Sequence, residues 1–363
     1  MHDWKRSFYA IWAAEFIALA GFATTTPIIP LRLMAMGLTE ATGLNFWAGL
    51  TQAGAALGMM LFAPIWGSLA DSYGRRLMLL RAMFGGAALI GLMALATEPW
   101  QLAALRTLQG CVTGTTAAGT VLTASIVPEK EAGYRLGLLQ MAIYLGSSTG
   151  PLLGGVVSDA FGLTANFAAT SALLLAAGLI VTRFVREEFE PKPRSGSILR
   201  NAAPDFSPLR GNPLLGSLMG VVFAAQFAAA VVTPMLPLFV VKLTGGLSGA
   251  GSVSGLIISA GSVSGAVAAA LIGKVSGRLG YGRTLLACMI GATVFTVPQG
   301  FVSTPWQLLW LRLAAAREIA VGALNGLGFG LIMALVAGLW FGVPMLSLVI
   351  AVAMLLTLIA AAL

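Results

Sequence analysis

Long apolar runs follow one another along the chain, separated by short polar turns. A helix needs about 20 consecutive apolar residues to cross a lipid bilayer. In the first half, six runs approach this length, and Pro, Gly and charged residues mark the turns between them. The pattern predicts membrane-spanning helices over residues 8–30, 45–66, 77–96, 100–126, 135–158 and 163–184. We therefore expect an all-α membrane protein.

One longer polar stretch divides the chain. Residues 186–212 are rich in charged residues and proline, which is typical of a linker between domains. We predict an N-terminal six-helix bundle over residues 1–185, a cytoplasmic linker over 186–212, and a C-terminal helix bundle over 213–363. The polar character of the linker is explained by contact with water, so we assign it no chemistry.

The second half repeats the first at a nearly constant spacing. Residues 26–31 (TPIIPL) return 207 residues later as TPMLPL, and residues 99–102 (PWQL) return 206 residues later unchanged. A charged turn at residues 67–76 returns more weakly at 273–280. Two parallel six-helix repeats, related by a pseudo-two-fold axis along the membrane normal, are a transporter architecture with the substrate path between the halves.

The repeat is incomplete around the tenth span. From Arg106 to Phe184 at the end of span six there are 78 residues, but from its counterpart Arg312 to Leu363 there are 51, a shortfall of 27. Either the chain is truly shorter here, or residues are missing between two positions that carry consecutive numbers. We favour the second explanation. Omitted residues predict a Cα–Cα distance far above ~3.8 Å near residues 314–318.

Composition and charge agree with a membrane location. Hydrophobic residues make up 58% of the chain and charged residues 9%, against about 25% charged in a soluble domain. Of the 21 Lys and Arg, 16 lie at the N-terminus, in the linker region and in alternate loops. Positive charge marks cytoplasmic loops, so we place the N-terminus in the cytoplasm. We expect no nucleic-acid partner despite the net charge of +8.

Little in the sequence indicates a cofactor or an enzyme. Cys111 and Cys288 fall inside predicted spans, where cysteine behaves as a small apolar residue, and the single histidine is His2. The sequence has no phosphate-binding loop of the P-loop type, no paired catalytic carboxylates and no nucleophile constellation. We expect no metal, no cofactor and no enzymatic activity.

Four short motifs stand out in the first half. They are residues 67–76 (GSLADSYGRR), residues 102–114 around Arg106, residues 146–155 (GSSTGPLLGG), and residues 19–21 followed by Pro27 and Pro30. Together they resemble the major facilitator superfamily and, within it, the twelve-span drug:proton antiporters, although Ser72 stands where a basic residue is usual. The resemblance implies two six-helix bundles, alternating access, and a monomer in the bacterial inner membrane.

The charged turn at residues 67–76 predicts a tight cytoplasmic hairpin. The simpler interpretation is that its charges only fix topology. The resemblance favours a conformational latch, in which Asp71 caps the positive N-terminal end of span eleven near Arg317 and Arg75 pairs with Glu129. Such contacts exist in one state only and so bias a two-state equilibrium. The candidate latch residues are Gly67, Asp71, Gly74, Arg75, Arg76 and Glu129.

Glu15 and Arg106 are the candidate proton-coupling residues. Glu15 lies ten residues beyond Lys5, ~15 Å along the helix, where a carboxyl is stable mainly as the neutral acid. It is either a proton carrier or a neutral side chain hydrogen-bonded to a neighbouring span. Arg106 lies inside an apolar span, where an unpartnered guanidinium is costly. It either extends to the membrane surface or faces the central cavity, and the resemblance implies a role in proton coupling.

The motif at residues 146–155 places small residues at a spacing of four, which lets helix backbones approach closely. Its members are Gly146, Gly150, Pro151, Gly154 and Gly155. We expect this face to meet span eight, which offers Gly251, Gly255, Gly261 and Gly265.

The candidate substrate-cavity residues are polar, aromatic or Met side chains within the spans, a composition that suits varied lipophilic ligands. They are Phe22, Thr25, Asn45, Gln52, Gln140, Tyr144, Phe223, Gln226 and Met235.

These observations predict a secondary active transporter that exports small lipophilic compounds in exchange for protons by alternating access. A sugar or metabolite efflux facilitator is the alternative in the same class. A non-transporting membrane remnant or receptor-like protein is the alternative from another class. The expected partners are a small-molecule substrate, protons and the lipid bilayer.

Overall fold

The computed structural model describes residues 4–40, 42–187, 189, 235–263 and 297–319. The chain forms two compact units, Met1–Pro204 and Asp205–Leu363. Their boundary falls inside the stretch 186–212, most of which lies outside the described residues.

Seven α-helices form the described part of the first unit. They are α1 (Trp4–Ala35), α2 (Leu44–Tyr73), α3 (Arg75–Met93), α4 (Pro99–Val112), α5 (Thr115–Ile126), α6 (Glu129–Phe161) and α7 (Leu163–Phe184). By length and apolar composition, α1, α2, α3 and α7 can each cross a membrane. The expected all-α fold class is confirmed.

Helix α1 contacts four others, namely α2, α5, α6 and α7. Its large side chains Phe8, Ile11, Ile28 and Leu31 are buried, as is Phe167 of α7. Helix α2 packs mainly on α4, and α3 packs on α7, α4 and α5. The polar residues buried in this unit are therefore held between helices.

The turn between α2 and α3 is a single residue. Helix α2 continues to Tyr73, and Arg75 already begins α3. Gly74 between them has φ +97° and donates its N–H to the Ala70 carbonyl at 3.0 Å. A side chain is strained at this φ, so glycine is required. The predicted ten-residue turn at 67–76 is wrong in extent, because residues 67–73 extend α2.

Span four is broken into two helices. Helix α4 ends at Val112 and α5 begins at Thr115, with Gly114 at φ +132° between them. A continuous helix cannot pass through this conformation, so the prediction of one span over residues 100–126 is wrong. The break frees the Cys111 carbonyl from its helical partner, and the Trp66 indole of α2 donates to it at 2.6 Å.

The glycine face of α6 packs on α1. A Cβ at Gly146 would lie 2.9 Å from the Ala20 nitrogen, one at Gly150 2.6 Å from the Ala23 Cβ, and one at Gly154 2.7 Å from the Thr24 Cα. Real Cβ atoms do not approach this closely, so only glycine allows the two backbones to meet. These contacts show α1 as a partner of this face, and the predicted contact with span eight, which belongs to the second unit, stays a prediction.

The described part of the second unit contains α8 (Met235–Thr244), α9 (Ala250–Val263), a short 3-10 helix (Val297–Phe301) and α10 (Pro305–Ile319). Helix α10 passes without interruption through residues 314–318. The expected jump in Cα spacing is therefore absent, and the preference for omitted residues there was wrong. The repeated turn at 273–280, Phe223, Gln226 and Gly265 lie outside the described residues, so the incomplete second bundle stays a prediction.

The repeated PWQL segments begin α4 and α10 in the same way. The Gln101 side-chain oxygen accepts hydrogen bonds from the Thr97 and Glu98 amides at 2.9 and 3.2 Å. The Gln307 side-chain oxygen accepts them from Ser303 and the following amide at 3.0 and 3.3 Å. Each glutamine thus caps the start of its own helix, and the duplication seen in the sequence extends to side-chain geometry.

Candidate functional site

Where α2 turns into α3, an acid from beyond α7 caps the start of α3. The Glu187 carboxylate accepts hydrogen bonds from the backbone N–H of Arg75 at 3.1 Å and of Arg76 at 2.8 Å. A second hydrogen bond runs from α3 to α7: the Arg76 guanidinium donates to the Thr182 carbonyl in the last turn of α7 at 2.7 Å. A negative group at a helix N-terminus and a positive group at a C-terminus are both stabilising. We call this set, with Gly74, the hairpin clamp.

Gly74 also lies against the segment that follows α7. Beyond its positive φ, a Cβ there would lie 3.2 Å from a Glu187 carboxylate oxygen and 3.5 Å from the Phe189 ring. The segment that follows α7 therefore lies directly on the turn. This contact was not predicted, since Glu187 falls in the stretch interpreted as a solvated linker.

The other latch residues are not joined in the described part of the chain. No ion pair links Arg75 to Glu129 there, and the described ion pair is Arg135–Glu131 at 2.9 Å within α6. A Cβ at Gly67 would meet nothing within 4 Å. The side chains of Asp71 and Arg317 lie outside the described residues, so the Asp71 contact stays a prediction.

Glu15 is buried in the middle of α1. It is 0% exposed, and neither carboxyl oxygen has a hydrogen-bond partner within the described residues. The carboxyl group faces Gly119 of α5, where a Cβ would lie 2.9 Å from the Glu15 Cδ. The alternative of a hydrogen bond to a neighbouring span is not observed. The absence of a side chain at position 119 leaves the space that the carboxyl fills.

Arg106 is held by its own helix. Its Nη1 donates to the Gln109 side-chain oxygen at 2.5 Å, one turn further along α4. Its Nε has no partner among the described residues. No described hydrogen bond or ion pair joins Arg106 to Glu15.

A further cation, the half-buried Arg81, was not anticipated from the sequence. The Arg81 guanidinium of α3 lies 3.6 Å from the centroid of the Trp66 ring, a cation–π contact. The same indole donates to the Cys111 carbonyl at the break in span four. Trp66 thus joins α2, α3 and α4, and only the break at Gly114 makes the Cys111 carbonyl available.

The predicted cavity residues occupy varied environments. Thr25 is buried, and its hydroxyl donates to the Phe22 carbonyl at 2.7 Å. The Phe22 ring lies against Gly86, where a Cβ would be 2.9 Å from it. Tyr144 is 61% exposed. The remaining described candidates, Asn45, Gln52, Gln140 and Met235, are half-buried.

The described features define a class of protein. Apolar helices of membrane length, tight glycine contacts between them and a buried acid inside one of them are typical of polytopic membrane transporters. The chain belongs to the Major Facilitator Superfamily, whose family model matches residues 11–363. The resemblance drawn from the four motifs is confirmed.

Among curated relatives, the chain is similar to multidrug resistance protein MdtG of Enterobacter lignolyticus (strain SCF1), with 34% identity over 310 residues that cover 85% of this chain and 74% of the relative. MdtG of Serratia proteamaculans (strain 568) is also 34% identical over 310 residues, covering 85% of this chain and 75% of the relative. These relatives place the chain beside bacterial multidrug resistance proteins.

Solved structures share the fold. The nucleoside transporter NupG superposes with a TM-score of 0.72 at 12% identity, over 96% of this chain and 99% of that one. An inward-facing bacterial homologue of the human lysosomal transporter Spinster superposes with a TM-score of 0.67 at 16% identity, over 98% of this chain and 79% of that one. At these identities the likeness concerns the fold alone.

Proposed function

We propose that this transporter is a proton-coupled exporter of small lipophilic compounds in the bacterial inner membrane, with its N-terminus in the cytoplasm. The observation that carries the proposal is Glu15, an acid that is 0% exposed and has no described hydrogen-bond partner inside a membrane helix. The similarity to proteins named for multidrug resistance supports export of varied compounds.

Glu15 is suited to carry the exchanged proton. A charged carboxylate without a partner is costly in apolar surroundings, so the protein favours the neutral acid while the site is closed. Loss of the proton becomes favourable when the site opens to water or receives a cationic compound. Proton binding and the conformational state therefore bias each other, which is the coupling that an antiporter needs. Arg106 adds a positive charge in α4 of the same bundle, and we propose that it tunes this exchange.

The hairpin residues act on the equilibrium between states. We propose that Asp71 caps the start of span eleven in one state and releases it in the other, so that its role lies in turnover and not in binding. The protein acts as a monomer in this scheme.

Reconstitution tests the coupling. The purified protein is placed in liposomes, and ethidium is followed as the probe together with an internal pH dye while a pH gradient is imposed. We expect gradient-driven ethidium movement with matching proton flux in the unaltered protein, and loss of the gradient-driven part in Glu15→Gln. The matched control, Glu40→Gln, changes an exposed acid between α1 and α2 and retains coupling. Full coupling in Glu15→Gln would contradict the proposal.

A further inference from the structure

Thr123 of α5 differs from six other helical threonines in its hydrogen bonding. A threonine inside a helix commonly donates its hydroxyl to a carbonyl of the preceding turn, and Thr51, Thr107, Thr120, Thr149, Thr170 and Thr182 all donate to the carbonyl four residues earlier. Thr123 is 0% exposed, and its hydroxyl has no partner among the described residues. Within the described residues, its hydroxyl is therefore not bonded to the carbonyl of the preceding turn.

Thr123 lies one turn from the point where α5 meets Glu15. Residues four apart share one face of a helix, so Thr123 follows Gly119 on the buried face of α5, at a rise of ~6 Å. Helix α5 packs on α1, and Gly119 faces the Glu15 carboxyl. Among the described residues, the Glu15 carboxyl and the Thr123 hydroxyl are therefore two buried polar groups without a hydrogen-bond partner, about one turn of α5 apart along its axis.

Along the axis of α5, Thr123 lies between the level of Glu15 and the C-terminal end of the helix. Helix α5 ends at Ile126, three residues beyond Thr123, and Glu129 begins α6 soon afterwards. Charged residues resume there, with Glu129, Lys130 and Glu131 in succession. The hydroxyl thus stands between the buried acid and the polar end of the bundle.

We propose that Gly119, Thr123 and Glu15 form a proton-transfer site in which water bridges the carboxyl and the hydroxyl. Buried polar groups are nearly always hydrogen-bonded, and internal water supplies the partners that protein groups do not. One or two water molecules span a distance of this size. The inference rests on the proposed function, in which Glu15 carries the proton.

The transfer conserves every proton. The Glu15 O–H donates to the bridging water and breaks, that water passes one of its own protons to the Thr123 oxygen, and the hydroxyl releases its original proton to water at the polar end of the bundle. A hydroxyl can do this because it accepts and donates at once. Glu15 becomes a carboxylate, the receiving water gains the proton, and return of a proton follows the reverse order. Gly119 is a positioning residue, since a Cβ there would overlap the carboxyl.

Infrared difference spectroscopy of the protein in lipid tests the site without any substrate. The protonated carboxyl of Glu15 gives a C=O stretch that Glu15→Gln removes. We expect Thr123→Val to move this band to higher frequency, because the carboxyl loses part of its hydrogen bonding, and Thr123→Ser to restore it. Thr120→Val is the matched control, since that hydroxyl is already bonded to the Thr116 carbonyl at 2.7 Å. An unchanged band in Thr123→Val would overturn the inference.

The liposome assay separates this inference from the proposed function. We expect Thr123→Val to slow gradient-driven ethidium movement about tenfold, which corresponds to ~1.4 kcal/mol in the barrier, with ethidium affinity unchanged and Thr123→Ser near the unaltered rate. Loss of coupling in Glu15→Gln together with full coupling in Thr123→Val would overturn the inference and leave the proposed function standing. Full coupling in both variants would overturn both.

Discussion

Glu187 is expected to stabilise the start of α3 from a position 112 residues further along the chain. The first amides of a helix have no partner within the helix, and here the carboxylate takes two of them. Replacing a side chain that caps such amides costs about 0.5–2 kcal/mol, and removing a negative charge from a helix N-terminus costs about 0.3–1 kcal/mol. Glu187→Ala should therefore weaken the hairpin clamp by about 1–3 kcal/mol.

Hydrogen–deuterium exchange measures this loss directly. In the bilayer-embedded protein, we expect the amides of Arg75 and Arg76 to exchange about 5- to 150-fold faster in Glu187→Ala, since local opening scales with its free energy. In Glu187→Gln, the exchange rates of these amides should fall between those of Glu187→Ala and of the unaltered protein, because an amide side chain keeps one acceptor oxygen and no charge. Amides in the middle of α3, bonded within the helix, serve as the internal reference.

Glu40→Ala is the matched control for Glu187→Ala. It removes the same charge from an exposed position between α1 and α2 and should leave the amides at the start of α3 unaffected. Equal exchange at Arg75 and Arg76 in Glu187→Ala and in the unaltered protein would refute the capping role.

Three further variants test other contacts. Gly150→Ala should destabilise the first unit by about 1–3 kcal/mol through overpacking, which thermal unfolding measures. Gly137→Ala is the control in the same helix, because a Cβ there meets nothing within 4 Å, and it should leave the stability unchanged. Equal melting temperatures of the two variants would contradict the close helix contact. Trp66→Phe should cost about 1–2 kcal/mol for the lost indole hydrogen bond, and Trp100→Phe, at a residue 58% exposed, should be neutral. Asp71→Asn should lower ethidium turnover with affinity unchanged, and unaltered turnover would argue against the latch.

The membrane-spanning helices were predictable because a bilayer requires long apolar runs, and such runs are visible in the order of apolar and polar residues along the chain. The break in span four was not. Residues 100–126 contain no proline and no charged residue other than Arg106, so the sequence pattern was compatible with one continuous helix. The φ of +132° at Gly114 depends on the packing of α2 and α3 around the break, including the Trp66 indole, and no local pattern records such a contact.

The candidate site was likewise predictable only in part. Burial of Glu15 followed from its depth in an apolar run, but its neighbour Gly119 could not be found without knowing which helix faces α1. The glycine spacing in α6 predicted a close helix contact, but it could not identify α1 as a partner, because small residues permit approach by any helix with a matching surface. Glu187 was missed because an acid in a polar stretch is usually solvated, and its target lies far away in sequence.

The hairpin clamp has a consequence for the order in which this membrane protein is made. Synthesis delivers the amides of Arg75 and Arg76 long before the carboxylate 112 and 111 residues later that will bind them. Until α7 is inserted and Glu187 has emerged, the start of α3 must be satisfied by water. A nascent chain that stalls before that point carries an uncapped helix end at the membrane surface. Closure of the clamp thus marks completion of the first bundle, at the moment when translation passes into the linker.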